Sequence, residues 1–162
     1  MIYSMNYYTW IPFFVMAIDQ MSKRIAMHWH YNNILIKSPY LESKIVWNKG
    51  VSFGMFGTSY YNVLVYCAIF ISIILVIITW AKSKNKFDII AWGLIVGGGL
   101  SNLWDRWFFG AVLDFISISF YDLQFPWIFN VADIAITIGA LLLIRRFFIK
   151  TSKKASITEK SK

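Results

Sequence analysis

Four apolar runs, near Tyr8–Met27, Asn62–Ala81, Ile89–Trp104 and Pro126–Phe148, limit what this chain can fold into. A hydrocarbon core of about 30 Å is crossed by roughly 20 predominantly apolar helical residues, and the runs approach or meet that length. In a chain of 162 residues, 58% hydrophobic and 19% aromatic, they leave too little polar surface for a water-soluble domain. The mean hydropathy of +0.56 agrees. The sequence therefore predicts an all-α membrane protein with four transmembrane helices. The second run is the cleanest, with no charge between Lys49 and Lys82. The third is short and runs into Asn102, Asp105 and Arg106, so it is expected to end in polar surroundings near one membrane face.

Charge sets the topology. The formal net charge is +8, but the basic residues cluster at the ends of the apolar runs instead of covering a polar surface, which argues against a nucleic-acid partner. Lys82, Lys84 and Lys86 in one linker, and Arg145, Arg146, Lys150, Lys153, Lys154, Lys160 and Lys162 at the C-terminal end, belong on the cytoplasmic side. Four spans then put the N-terminus there too, although residues 1–7 carry no Lys or Arg. The connections at about 28–61 and 105–125 face outward. The first run has no basic n-region and no A-x-A-like cleavage site, and it carries Asp19, Lys23 and Arg24, so it reads as a retained helix. Partial alternation at Ile34/Ile36 and Ile45/Trp47, punctuated by Pro39 and glycines, predicts a small extracytoplasmic β element in the loop 28–61. Residues 1–148 form the membrane domain. Residues 149–162 are expected as a basic, disordered cytoplasmic tail near anionic lipid.

The unusual polar residues fall toward the outer side. Asp19 and Lys23 are one helical turn apart and able to pair. Asn48 lies in the outer loop, Asn102, Asp105 and Arg106 end the third run, and Asp114 follows outside. Asn130 and Asp133 open the fourth run on one helical face, with Pro126 suited to an early helical position. An ionisable group in such a run costs roughly 2.5–3.5 kcal/mol on insertion scales, so each one calls for a partner or a task. For Asp114 and Asp133 one reading is a catalytic dyad, in which two close carboxyls share a proton and hydrolyse a peptide without a metal or cofactor. The other is that each pairs with Arg106 or Lys23, or caps a helix. A small proton-coupled transporter would use the same aspartates as a relay, and a non-catalytic scaffold would not need them. The relay is disfavoured because it would want ionisable groups through the full membrane depth.

The remaining signals are weaker. His28 and His30, two apart, do not share a helix face and have no evident co-ligands, so they read as interfacial aromatics, and no metal site is expected. Arg106 could meet a substrate phosphate or hold Asp105. The glycines of GGGLS, residues 97–101, lie in an apolar run with no following Lys-Ser/Thr, and read as close helix packing. Ser101 and Ser117 have no local activating base. Cys67 stands alone and reads as packing.

Taken together, DQMSK (19–23), NKGVSFG (48–54), SNLWDRWFFGAVLDF (101–115) and FNVAD (129–133), in this order on four apolar runs, closely resemble lipoprotein signal peptidase, the signal peptidase II family of bacteria. The resemblance covers about residues 10–145. It implies that Asp114 and Asp133 are catalytic and that Asn130 orients them. It further implies that Asp19, Lys23, Asn48, Gly50, Asn102, Asp105 and Arg106 shape the site or contact the substrate or the cyclic peptide antibiotic globomycin. The outer β element would be a cradle on the membrane surface, with the segment after Asn48 at the site entrance. The implied substrate is a prolipoprotein with a diacylglyceryl-modified cysteine, cut on the N-terminal side of that cysteine at the outer face of the bacterial inner membrane. The chain has Ser52 where the family often has alanine, and Ser101-Asn102 where it often has Gly-Asn.

Overall fold

The computed structural model describes residues 7–34, 38, 40–49, 59–83, 85–120 and 123–160. A 3-10 turn, Tyr7–Trp10, leads into helix α1 (Ile11–Tyr31), then strand β1 (Leu41–Asn48), helices α2 (Ser59–Lys82) and α3 (Lys86–Phe109), strands β2 (Val112–Phe120) and β3 (Leu123–Phe129), and helix α4 (Val131–Lys160). The three strands form one antiparallel sheet in the order β1-β2-β3, with Asn48 opposite Val112, Val46 opposite Asp114 and Ile116 opposite Phe129. The described chain is thus mostly helical with one small sheet.

Local chemistry explains the helix boundaries. Pro12 sits in the first turn of α1, where its missing N–H costs nothing. The helix closes where the Asn32 side chain donates to the His28 carbonyl at 2.7 Å and Asn33 turns left-handed at φ 57°. α3 opens on Asn85, whose side chain accepts the Phe87 N–H at 2.9 Å, and ends on Gly110 at φ 70°, whose N–H reaches the Arg106 carbonyl at 3.1 Å. It therefore runs through Asn102, Asp105 and Arg106 to Phe109, whereas the sequence places its end near Trp104. The polar residues do not stop the helix, because neighbouring elements supply their partners.

Three further expectations are corrected. Pro126 opens no helix: it lies in β3, an edge strand, where a residue without an N–H is tolerated, and α4 starts at Val131. The β element expected in the loop 28–61 is present there as β1, but among the described residues the sheet extends beyond it: β2 and β3 come from the connection between α3 and α4, where VLDFISISF supplies the β-branched and aromatic residues that strands favour. Residues 149–160, expected as a disordered tail, continue the α4 backbone helix. Gly50 and Ser52 lie outside the described residues.

α3 is the central helix and packs against α1, α2 and α4. Its glycines make this possible. A Cβ on Gly97 would lie 2.7 Å from Val15 Cβ and 2.8 Å from Pro12 Cα on α1; one on Gly98 would lie 2.5 Å from the Ala132 carbonyl oxygen on α4. Gly139 of α4 returns the contact, its absent Cβ 2.6 Å from the Ala91 carbonyl oxygen. Among the described residues, large apolar side chains lie on the outside and several polar ones are buried. Phe13, Phe14, Ile18 and Met21 of α1, Phe70 and Leu75 of α2, and Leu141 of α4 are exposed, while the largest fully buried side chains among the described residues are Asn130, Asp19, Asp105, Ser101 and Ser117. α3 is long and apolar enough to cross a membrane by length and composition. Because Gly98 abuts backbone, Gly98→Ala should destabilise the fold by about 1–3 kcal/mol. Gly99, whose added Cβ would meet, among the described residues, only Ile73 at 3.4 Å, should accept alanine within about 0.5 kcal/mol. Thermal unfolding of both variants in detergent checks the contrast.

Candidate active site

The buried stripe of α1 consists of Pro12, Val15, Asp19, Lys23 and Ala26, residues three and four apart. Asp19 and Lys23 therefore point into the bundle together, as their spacing predicts, and pair at 2.6 Å. Lys23 Nζ also lies 2.7 Å from Asp105 Oδ2 and donates to Asn102 Oδ1 at 3.2 Å, both on α3. An ammonium has three N–H groups, and these three contacts use them all. Asp19 is fully enclosed: Oδ1 accepts the Ala132 N–H in the first turn of α4 at 2.8 Å, and Oδ2 accepts Ser101 Oγ at 2.7 Å beside Lys23. Asp105 accepts Gln20 Nε2 at 2.8 Å and the Leu113 N–H at 3.2 Å. No buried side-chain nitrogen or oxygen among the described residues lacks a hydrogen-bond partner.

Above this ion cluster stand the two aspartates. Asn130 is the N-cap of α4, so it lies outside the helix rather than on a shared helical face with Asp133. Its Oδ1 accepts the Asp133 N–H at 2.9 Å, while Asp133 Oδ2 accepts the Asn130 N–H at 3.2 Å. This reciprocal pair is a capping box with aspartate at its third helical position. Asn130 Nδ2 then reaches across to Asp114 Oδ1 at 2.7 Å. One asparagine thus touches both carboxylates. Asn48 Nδ2 holds the other Asp114 oxygen at 3.0 Å, and Asn102 Nδ2 holds Asp133 Oδ1 at 2.8 Å. The positive end of α4 faces the cluster, which favours the carboxylates gathered there.

Burial pushes the Asp114 carboxyl up from 3.8 to about 6; the Asn48 donor opposes this, the nearby Asp133 charge adds to it, and Asn130 and Lys23 oppose it. Asp114 is only 2% exposed, so loss of water is the dominant cause.

The fold brings Asp19, Lys23, Asn48, Asn102, Asp105, Asp114, Asn130 and Asp133 into one continuous network. Arg106 donates to the Asn102 carbonyl at 3.3 Å, and the cation at Asp105 is Lys23. His28 and His30 are exposed at the end of α1. Sequence reasoning missed Gln20 as a site residue and, having set Ser101 aside as a nucleophile, noted it only as a departure from the family's Gly-Asn pair. Their signal was positional: each adjoins a residue already singled out, Asp19 and Asn102.

Two consequences are measurable. Lys23→Ala strands Asp19 and Asp105 in the interior and should cost about 3–5 kcal/mol, read as a lowered Tm in detergent. A folded pKa above the unfolded value means that the native state binds the Asp114 proton more tightly. The stabilisation this brings is present at low pH and lost as pH rises from about 4 through about 6. The Tm of the wild type minus that of Asp114→Asn should therefore fall over that interval; a flat or rising difference would contradict the burial argument.

Residues 11–149 match the family model described as signal peptidase (SPase) II. The chain is 36% identical over 132 residues to a lipoprotein signal peptidase of Anaplasma marginale, covering 80% of this chain and 77% of that one. It is 40% identical over 126 residues to the lipoprotein signal peptidase of Pelagibacter ubique, covering 72% and 73%. Among solved structures, a bacterial membrane enzyme determined by the in meso method superposes with a TM-score of 0.72 at 27% identity, covering 94% of this chain and 93% of that one. A polar cluster of this make-up in a fold with apolar outer faces, a family match over most of the length and relatives above 30% identity agree: the chain is a membrane protein belonging to the signal peptidase II family of proteases.

Proposed function

We propose that this chain is an intramembrane aspartyl endopeptidase that removes the signal peptide from diacylglyceryl-modified bacterial prolipoproteins, cutting on the N-terminal side of the lipidated cysteine. The observation that carries the reading is the pair Asp114 and Asp133, bridged by Asn130 and held by separate donors, Asn48 and Asn102. Two neighbouring carboxyls cannot both ionise readily, so one retains a proton. The ionised member takes a proton from water, the water oxygen bonds to the scissile carbonyl carbon, and the protonated member donates to the carbonyl oxygen. Collapse of the tetrahedral adduct breaks the C–N bond as the aspartate that took the water proton passes it to the amine and the other aspartate takes a proton back from a hydroxyl of the adduct. Lys23 contributes no nucleophile in this scheme, since all three of its N–H groups are committed.

The same proposal takes α1 to α4 as four transmembrane helices of the bacterial inner membrane, with both termini cytoplasmic and the polar cluster near the outer face. Supporting it, Lys82 and Lys86 lie at the end of the bundle where Arg146 clamps Asp88 at 2.5 Å, and the buried polar network lies toward the other ends of α1 and α3. The acyl chains of the substrate would stay in the bilayer while its peptide meets water. Globomycin would occupy the same site, which adjoins membrane lipid. The clustering of ionisable groups at one end disfavours a proton relay through the full depth.

A gel-shift assay with purified diacylglyceryl prolipoprotein, in detergent or nanodiscs, should show cleavage by the wild type. Asp114→Asn and Asp133→Asn should each lose at least about 100-fold in kcat while remaining folded. Substantial turnover by either variant would sink the dyad, and an intact substrate with folded wild type would turn attention to proton-coupled flux in liposomes. Because the Asn48 donor lowers the Asp114 pKa, Asn48→Ala should move the rate limb governed by Asp114 to higher pH, measured as kcat against pH.

A further inference from the structure

The residues beneath the two aspartates close a ring. Lys23 binds Asp19 at 2.6 Å and Asp105 at 2.7 Å. On the opposite side Gln20 Nε2 donates to Asp105 Oδ1 at 2.8 Å and to Ser101 Oγ at 3.1 Å, and Ser101 Oγ donates onward to Asp19 Oδ2 at 2.7 Å. The two carboxylates are thus joined twice, once through a cation and once through a neutral bridge. With one ammonium for two carboxylates, the ring holds an excess negative charge, and the Gln20 and Ser101 donors offset the repulsion that would push Asp19 and Asp105 apart.

Each ring carboxylate also grips a backbone N–H next to one of the proposed catalytic residues. Asp19 holds the N–H of Ala132, immediately before Asp133; Asp105 holds the N–H of Leu113, immediately before Asp114. The distance between Asp19 and Asp105 therefore helps fix the distance between α4 and β2 where the two aspartates leave them. We infer that Gln20 and Ser101 are positioning residues, a neutral crossbar that sets the separation of Asp114 and Asp133 through Asp19 and Asp105. Gln20 and Ser101 bond to Asp105, to Asp19 and to each other, and so act through the ring.

The inference rests on the peptidase reading, and its test separates the two. Cleavage of diacylglyceryl prolipoprotein by wild type, Gln20→Met, Ser101→Ala and the double variant is followed as kcat, KM and the pH profile of kcat, with Tm as the control for folding. Gln20→Met keeps the length of a half-buried side chain but removes its donors. Each single variant should lose roughly 10- to 100-fold in kcat with KM little changed, since a small misplacement of reacting groups has that effect. The double variant should be no slower than the worse single one, because the crossbar is already broken. The spacing between the acid and alkaline limbs should also change, since coupling between two carboxyls depends on their separation. Variants with a lowered Tm but unchanged kcat and pH limbs would overturn the inference and leave the residues with a structural role alone. If Ser101→Ala fails to fold, Gln20→Met decides the matter by the same criteria. A folded wild type that leaves the substrate intact overturns the peptidase reading and the inference with it; an active wild type with unaltered variants overturns the inference alone.

Discussion

The Lys23 ammonium, enclosed between Asp19 and Asp105, is the interaction on which the rest of the structure depends. An ion taken out of water loses several kcal/mol of solvation even after relaxation, and only close, complete pairing compensates. Here every N–H of the lysine is used, and each carboxylate gains further donors from Gln20, Ser101 and backbone. The arrangement joins α1, α3 and the start of α4 at one point. In surroundings without water, leaving any member unpaired would cost more than it would on a soluble protein, so the cluster specifies one way of assembling these helices.

Apolar contact alone could not do this. On the proposed reading of four membrane-spanning helices, those whose outer faces carry Phe13, Phe14, Leu75 and Leu141 find hydrocarbon as good a neighbour as one another, so association rests on close packing and polar contacts. The glycines supply the first and the ion cluster the second. Gly97 and Gly98 face different partners, α1 and α4, on adjacent positions of α3, which brings both helices to the central one and lines up their polar residues at the same level.

The start of α4 is where fold and site meet. Its unpaired N–H groups are capped by Asn130 and Asp19, and the same Asn130 then spends its remaining amide on Asp114. A capping box that would serve only to begin a helix elsewhere here also sets two carboxylates in relation. Asp114 arrives from a different direction, on the central strand of a sheet whose register places Val46 opposite it and Asn48 two residues further along β1. Burial there, not any special chemistry of the residue, raises its proton affinity.

Much of this was readable without coordinates. The apolar runs, the i, i+4 pair of Asp19 and Lys23, the glycine packing of α3 and the polar residues that gather at one level follow from periodicity and the cost of burying charge, which are local properties. The ends of the elements were less legible, because they depend on partners. Pro126 suits a helix start and an edge strand equally, and only the pairing of β3 with β2 decides between them. Asn102 and Asp105 read as a helix end until Lys23, about 80 residues away in the chain, supplies what they need. The resemblance implied that Asn130 orients the two aspartates, but its bond to Asp114 and the ring through Gln20 and Ser101 could not be read, since a hydrogen bond between distant residues leaves no spacing in the sequence. The chain by itself determined that polar groups must find partners inside an apolar body; which group meets which was decided only when three helices and a sheet converged.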